Sequence, residues 1–271
     1  MYPWRRILLP TDFSTAAEWA FDGAIPIAGA TAAEIVILHI RLTEKADPKE
    51  LRFPADESVY GYAEQYELQK LRDHVRRANA SLPTRLVVRR APDPGAEILQ
   101  TAIEEKTDLL VIATHARHHV AHLLIGSTTL KVITDPPTPI LAIRYGTKRR
   151  RGLRRIVVPV HLKQTSTAAA ELASSIARGE GSDVHLVMVC NDAELAGANE
   201  KLAETNERLF GGTATVAAKR GSDIERELVR YCDESGADAL FVNARHDMSA
   251  IKSDIIRKSG VPVMIVPTTQ D

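Results

Sequence analysis

The chain has 271 residues, of which 44% are hydrophobic and 26% are charged, a composition typical of a globular protein large enough for two domains. Because 35 basic residues balance 35 acidic ones, no net charge favours nucleic acid or an anionic membrane as a partner. No apolar run approaches the roughly 20 residues that cross a bilayer, and the N-terminal segment is too short for a signal peptide.

The two cysteines, Cys190 and Cys232, both lie on apolar stretches of the second half. We expect reduced thiols in the core of a cytoplasmic protein, with a disulfide or a redox role as the alternative.

Four segments of the first half recur in the same order in the second half. The pairs are residues 5–10 (RRILLP) with 154–159 (RRIVVP), 34–40 (EIVILHI) with 183–189 (DVHLVMV), 108–113 (DLLVIA) with 238–243 (DALFVN), and 139–143 (PILAI) with 262–266 (PVMIV). A repeat of roughly 150 residues has the size of a domain and far exceeds a solenoid unit. We therefore predict a duplicated domain, with one copy in residues 1–147 and the other in residues 153–268. The basic segment between them is interpreted as a solvated linker.

Each copy contains five short apolar runs, rich in Val, Ile and Leu, which are typical of strands buried on both faces of a parallel sheet. They lie near residues 6–9, 35–40, 85–89, 109–113 and 140–144, and then near 155–159, 184–190, 214–218, 239–243 and 263–267. Helices are predicted between them: Thr15 and Glu18 have capping-box spacing, Asp93 precedes Pro94, and a helix is expected to begin near Glu64. The alternation predicts an α/β fold of two tandem doubly wound domains, each with a five-stranded parallel sheet.

Three segments of the first copy should meet at the carboxyl ends of its strands, where ligands of such sheets bind. They are Pro10, Thr11 and Asp12 after the first strand, residues 113–116 after the fourth, and Gly126, Ser127, Thr128 and Thr129 at the last helix. A glycine and three hydroxyl residues at a helix start offer free N–H groups, a favourable dipole and side-chain donors, the components of a phosphate cradle. Asp12 could accept hydrogen bonds from a base amine or a ribose hydroxyl. A plain helix cap is the alternative for both features.

These residues carry a family resemblance. Both halves resemble the universal stress protein domain along nearly their whole length, and the first half contains ILLPTDFS and LLVIATHARHHVAHLLIGSTTLKVI. The resemblance implies Rossmann-like, adenine-nucleotide α-hydrolase-like domains and ATP as cofactor, with Mg²⁺ left open. The implied adenine and ribose contacts are Pro10, Thr11, Asp12 and Ile40. The implied phosphate contacts are Ala113, His115, Ala116, Arg117, Gly126, Ser127, Thr128 and Thr129.

The first copy departs from the family's ATP-binding pattern at two positions. The pattern has glycines where this chain has Ala113 and Ala116, although the spacing to Gly126 and Ser127 is intact. If those glycines provide positive φ, each alanine is strained by roughly 1–2 kcal/mol. If they only allow a close approach of the backbone, the methyl groups could be tolerated.

The second copy departs further, because His161 stands in place of Asp12, Asn243 stands in place of Ala113, and no Gly-Ser pair opens its last helix. We therefore expect nucleotide in the first copy alone and a structural role for the second. The family commonly pairs domains along the fifth strand. This implies that residues 139–144 and 262–266 pair within the chain as an internal pseudo-dimer, and a homodimer of two chains is also considered.

Residues 115–122 (HARHHVAH) contain two pairs of histidines with i,i+4 spacing, which could bind zinc. No Cys, Asp or Glu lies close in sequence to complete such a site. Solvated or phosphate-facing histidines are therefore favoured, and a metal site stays open as the alternative.

The sequence thus predicts a regulatory stress-response protein that binds ATP or a related adenine nucleotide in the first copy. Little or no hydrolysis is expected, because no residue stands out as a general base. The alternative is an interaction module that binds no nucleotide and acts through its surface and oligomeric state. An ATP pyrophosphatase is disfavoured, because residues 10–14 lack the glycine- and serine-rich loop of that class.

Overall fold

The structure of the protein is a computed structural model, which describes residues 4–43, 57–114, 125–147, 152–162, 166–244 and 249–268. Strands and helices alternate throughout these residues. The strands are β1 (Arg6–Thr11), β2 (Glu34–Leu42), β3 (Thr84–Ala91), β4 (Leu109–Ala113), β5 (Ile140–Ile143), β6 (Arg155–Pro159), β7 (Asp183–Cys190), β8 (Thr215–Arg220), β9 (Ala239–Ala244) and β10 (Val263–Pro267). The helices are α1 (Thr15–Thr31), α2 (Glu57–Ala78), α3 (Pro94–Glu104), α4 (Ser127–Thr134), α5 (Ala168–Glu180), α6 (Leu195–Phe210), α7 (Ile224–Ser235) and α8 (Ser249–Lys258).

All ten strands form one sheet in the order β3-β2-β1-β4-β5-β10-β9-β6-β7-β8. Within each half the neighbouring strands are parallel, which confirms the predicted doubly wound α/β fold. The halves meet where β5 pairs antiparallel with β10, with Leu141 opposite Met264 and Ile140 opposite Ile265. The predicted pairing of the two fifth strands is thereby confirmed.

The two halves share a strand register as well as an order. Arg6 lies opposite Glu34 in the pairing of β1 with β2, and Arg155 lies opposite Asp183 in the pairing of β6 with β7. Each arginine also makes an ion pair with its partner, at 2.6 Å and 2.8 Å between the closest N and O atoms. Equivalent positions of the halves can therefore be read directly from the sheet.

The core consists of two layers, one on each face of the sheet. Ile7 and Leu9 face the layer that contains α1, α2, α5 and α6, whereas Leu8 faces the layer that contains α3, α4, α7 and α8. This alternation is the period of a strand. Both layers include residues from both halves, so the apolar core continues across the junction.

Both cysteines are buried and form no disulfide, as predicted. Burial raises the pKa of the Cys232 thiol to about 12 and also raises the pKa of Cys190. Both thiols are therefore protonated and unreactive near neutral pH.

Two predicted helix starts need correction. Helix α1 is capped by Ser14, whose Oγ accepts a hydrogen bond from Ala17 N at 3.2 Å, so Thr15 is the first helical residue and not the cap. Helix α2 begins at Glu57, about two turns before the predicted start near Glu64. Helix α3 begins at Pro94 as predicted. No helix in the described part of the chain is both long and apolar enough to cross a membrane.

Candidate functional site

The candidate site lies at the carboxyl edge of the first half, between β1 and β4. Strand β1 pairs with β2 on one side and with β4 on the other, so the chain order of the strands reverses here. The carboxyl ends of parallel strands diverge at such a point and leave a crevice for a ligand. Thr11 ends β1 and Ala113 ends β4, so the two strand-end segments predicted from the sequence lie at adjacent positions.

The turn after β1, residues 11–14, is held by its own polar groups. Thr11 Oγ1 accepts a hydrogen bond from Phe13 N, and Asp12 Oδ1 accepts one from Ser14 N, both at 3.0 Å. Phe13 has a positive φ of 61°, which these bonds support. Asp12 is exposed at the edge of the sheet, so its carboxylate shapes the turn and also faces solvent beside the crevice.

Helix α4 begins directly beside the end of β4. Gly126 N donates to Thr114 O at 3.3 Å, and Thr129 Oγ1 donates to Ala113 O at 2.9 Å. These bonds place the first turn of α4 next to the crevice. The Thr129 hydroxyl is directed inward and buried, so this residue can offer a ligand its backbone N–H group but not its side chain.

The first turn of α4 lacks the capping features that are present at the starts of α1 and α3. Gly126 occupies the cap position and makes no side-chain cap, and the first turn contains no acidic residue. Helices α1 and α3 have side-chain caps from Ser14 and Asp93, and each carries a glutamate in its first turn. Neither a side-chain cap from Gly126 nor a carboxylate in the first turn of α4 therefore compensates the positive dipole end of this helix.

Ala113 is not strained. It is the last residue of β4, and the described residues with positive φ other than glycine are Phe13, Ala32 and Lys106. An alanine at this position therefore does not require a left-handed backbone conformation. For one of the two replaced glycines, this removes the backbone strain that would count against nucleotide binding. The other replaced glycine, at Ala116, lies outside the described residues together with His115 and Arg117.

Pro10 and Ile40 lie on the face of the sheet that carries α4. Ile40 is half-buried and packs against the α3 and α4 core layer, and Pro10 follows the alternation of Leu8 onto the same face. The structure thus brings together Pro10, Asp12 and Ile40 with the start of α4 along three adjacent strands.

His39 is a buried residue beside the turn that the sequence analysis did not select. Its Nδ1 lies 3.0 Å from Thr11 O, and its ring stacks on that of Phe13 with a centroid distance of 4.3 Å. On the other side its Nε2 lies 3.4 Å from Glu64 Oε1 of α2, and Arg41 binds the second oxygen of Glu64. The signal in the sequence was one polar residue inside the apolar run EIVILHI.

The corresponding region of the second half contains Asn243. Strand register places Asn243 of β9 at the position of Ala113 in β4. Its Oδ1 accepts a hydrogen bond from Ala169 N at 2.8 Å, and its Nδ2 donates to Ser166 O at 3.0 Å. The amide thus ties the end of β9 to the start of α5. The sequence showed the substitution but not this contact.

Among the residues that the structure describes, no group of three His, Cys, Asp or Glu side chains could hold a metal ion. The zinc alternative concerned residues 115–122, all of which lie outside that part of the chain.

Comparison with known proteins identifies the family. Residues 3–144, more than half of the chain, match the model of the universal stress protein family. The chain therefore belongs to the universal stress protein family. A universal stress protein of Methanocaldococcus jannaschii is 26% identical over 155 residues, which span 52% of this chain and 95% of that protein.

Solved structures show the fold at greater distance. A universal stress protein from Archaeoglobus fulgidus is 18% identical and superposes with a TM-score of 0.73 over 97% of this chain and 96% of its own. The tandem arrangement is thus shared by a solved protein of the same family. Another structure from Archaeoglobus fulgidus, in complex with dAMP, is 25% identical and covers 41% of this chain and 96% of its own, with a TM-score of 0.35.

Proposed function

We propose that the first half binds an adenine nucleotide, with ATP as the first candidate, and that the protein acts as a nucleotide-dependent regulator in a stress response. Family membership supports the ligand class, since another member was crystallised with dAMP. That distant structure does not position a ligand here, so the rest of the proposal depends on this chain's own residues.

The observation that carries the proposal is the uncompensated start of α4 at the point where strand order reverses. Gly126 has no capping side chain, and no acidic residue lies in the first turn. Backbone N–H groups at such a start, together with the helix dipole, bind phosphate oxygens. In the second half Asn243 stands at the position of Ala113 and ties the end of β9 to the start of α5.

The residues divide into three roles. The backbone N–H groups of Ser127 and Thr128 would hold phosphate oxygens, with the exposed Ser127 hydroxyl as a further donor. Asp12 would accept a hydrogen bond from the ribose or the base. Pro10 and Ile40 would supply apolar surface for the adenine ring. Mg²⁺, if it accompanies the triphosphate, would neutralise phosphate charge.

Binding with little or no hydrolysis is the expected activity. Of the described site residues Asp12 is the one carboxylate, and its Oδ1 already accepts the Ser14 N–H. A carboxylate used in this way is poorly placed to activate water for attack on a phosphate. The second half, residues 153–268, would serve as the structural partner of the first.

Thermal unfolding with and without Mg-ATP tests the proposal, with Ser127→Glu as the diagnostic variant. Ser127 is exposed at the first position of α4, where a glutamate suits the helix dipole and should preserve the fold. The same carboxylate would repel phosphate. Ser249→Glu, at the first position of α8 in the second half, is the matched control.

ATP at 100 times its dissociation constant should stabilise the native protein and Ser249→Glu by about 2.7 kcal/mol and should leave Ser127→Glu unchanged. No stabilisation of the native protein at millimolar ATP would favour the nucleotide-free interaction module. Stabilisation that persists in Ser127→Glu would place the nucleotide elsewhere.

A further inference from the structure

His39 lies between the turn of the candidate site and helix α2. It is 9% exposed, and its two ring nitrogens face Thr11 O at 3.0 Å and Glu64 Oε1 at 3.4 Å. We propose that His39 is a positioning residue, which fixes the turn that carries Asp12 and couples nucleotide affinity to the docking of α2 through Glu64. The inference rests on the proposed function and adds a form of regulation to that site.

The geometry determines which nitrogens carry protons. A carbonyl oxygen can only accept, so the contact with Thr11 O requires a proton on His39 Nδ1. In a neutral ring Nε2 would then present a lone pair to the Glu64 carboxylate. A second proton turns that repulsion into a charge-assisted contact. Both contacts are favourable together only when the imidazole is cationic.

The charged groups around His39 come from several elements. Glu64 faces the ring from α2, and Arg41, two residues along β2, pairs with the same carboxylate. Arg90 of β3 lies opposite Arg41 in the sheet register. Asp12 directly follows the residue whose carbonyl His39 contacts. The Glu64 carboxylate thus lies between the His39 imidazole and the Arg41 guanidinium and joins the ring to α2.

The second half provides an internal comparison. Leu38 and Val187 are equivalent in the strand register, so the next residues, His39 and Met188, are equivalent as well. Methionine cannot make either contact of the imidazole. The half in which Asn243 ties β9 to α5 therefore lacks the histidine, whereas the half with Ala113 at that position has it. This distribution indicates that His39 serves the site rather than the fold that both halves share.

The consequence is an affinity that depends on pH. Histidine changes charge between about pH 5 and 8. At the acidic end of this range the cationic ring holds Thr11 O and Glu64 together and presents Asp12 in its binding position. At the alkaline end the contact with Glu64 becomes repulsive, the turn loosens, and nucleotide binds more weakly.

The test is the ATP dissociation constant at pH 6 and pH 8 for the native protein, His39→Met, Glu64→Gln and the control Glu67→Gln. A glutamine at position 64 can donate to a neutral ring, so it should preserve the fold without requiring the second proton. Glu67 lies on α2 and pairs with Lys70, away from the ring. Protonation of the phosphates themselves, and of the other histidines, affects all four proteins alike.

The ratio of the affinities at pH 6 and pH 8 should be about fivefold larger in the native protein and Glu67→Gln than in His39→Met and Glu64→Gln. The same ratio in the native protein and Glu64→Gln would overturn the proposal.

A nitrogen-15 NMR titration of the ligand-free protein separates this inference from the proposed function. The ring-nitrogen signals of His39 should differ between the native protein and Glu64→Gln, because a carboxylate favours a proton on Nε2 and an amide does not. Identical ring signals in the two proteins would overturn the coupling between His39 and Glu64. A native protein that has the expected signals but binds no nucleotide would contradict the proposed function and leave that coupling intact.

Discussion

Comparison of equivalent residues in the two halves separates those that hold the fold from those that serve the site. Asp108 accepts hydrogen bonds from the backbone N–H groups of two residues at the start of β1, and Asp238 accepts one at the start of β6. Both halves need these bonds, because the first N–H groups of a strand otherwise lack partners. Ala113 and Asn243 also occupy equivalent positions, yet only Asn243 has a side chain that binds the neighbouring helix start.

Part of this residue-scale detail could be predicted from the sequence. Gly126 was expected at a helix start because capping chemistry is local. The ordinary backbone of Ala113, the reach of Asn243 to α5 and the contacts of His39 were not predicted. They depend on which segments the fold brings together, and a single sequence does not show φ angles or long-range contacts.

Asn243→Ala should lower the free energy of unfolding by about 1–2 kcal/mol, because Ala169 N and Ser166 O both lose their partner. Urea denaturation of the variant measures the change. Asn199→Ala, at an exposed position of α6, is the matched control and should stay within about 0.5 kcal/mol of the native protein. Equal stability of the two variants would show that the Asn243 amide does not stabilise the contact between β9 and the start of α5.

At the scale of elements, the apolar runs predicted the ten described strands, because the inner strands are largely buried on both faces and rich in Val, Ile and Leu. The edge strands β3 and β8 are mostly half-buried or exposed, and their apolar runs are shorter. Helix starts were less predictable. Ser14 and Thr15 can both cap a helix, and the backbone of the preceding turn selects Ser14. The early start of α2 at Glu57 was missed, because its first turns follow a segment rich in charges and prolines.

An ion-pair network joins β1, β2, β3 and the end of α3 at the amino edge of the sheet. Arg85 binds both Glu34 and Glu105, and Arg6 binds Glu34. Hydrogen bonding from Arg85 lowers the pKa of Glu105. A carboxylate with a lowered pKa stabilises the fold above its unfolded pKa of about 4.3, and that contribution is lost as the pH falls through its folded value.

Glu105→Gln should therefore be less stable than the native protein by about 1 kcal/mol at pH 7, a modest value because the Arg85 side chain is 40% exposed. The difference should shrink between pH 7 and about pH 3, as the native carboxyl becomes protonated. Urea denaturation at both pH values measures it. The control Glu104→Gln removes a more exposed pair with Arg89 and should change stability little. A Glu105→Gln deficit that is the same at both pH values would contradict this assignment.

At the scale of the whole molecule, the duplication was readable from four repeated segments, and the junction followed from the resemblance. The single ten-stranded sheet and the core layers shared by both halves are consequences of the pairing of β5 with β10. The structure therefore predicts that the two halves unfold cooperatively. The sequence alone indicated two domains and did not show that they share one sheet.

Thermal unfolding of the native chain should show one transition, with equal calorimetric and van't Hoff enthalpies, because the sheet and core layers continue across the junction. Differential scanning calorimetry provides both enthalpies. Two resolved transitions, or a calorimetric enthalpy about twice the van't Hoff value, would show that the halves unfold independently.

The central proposal is that the first half binds a nucleotide at the start of α4 and that the second half, in which Asn243 ties β9 to α5, binds none. Calorimetric titration with ATP tests it most directly, because the stoichiometry counts the sites. We predict one nucleotide per native chain and none for Ser127→Glu. Two nucleotides per native chain, or one per chain that Ser127→Glu retains, would contradict the account.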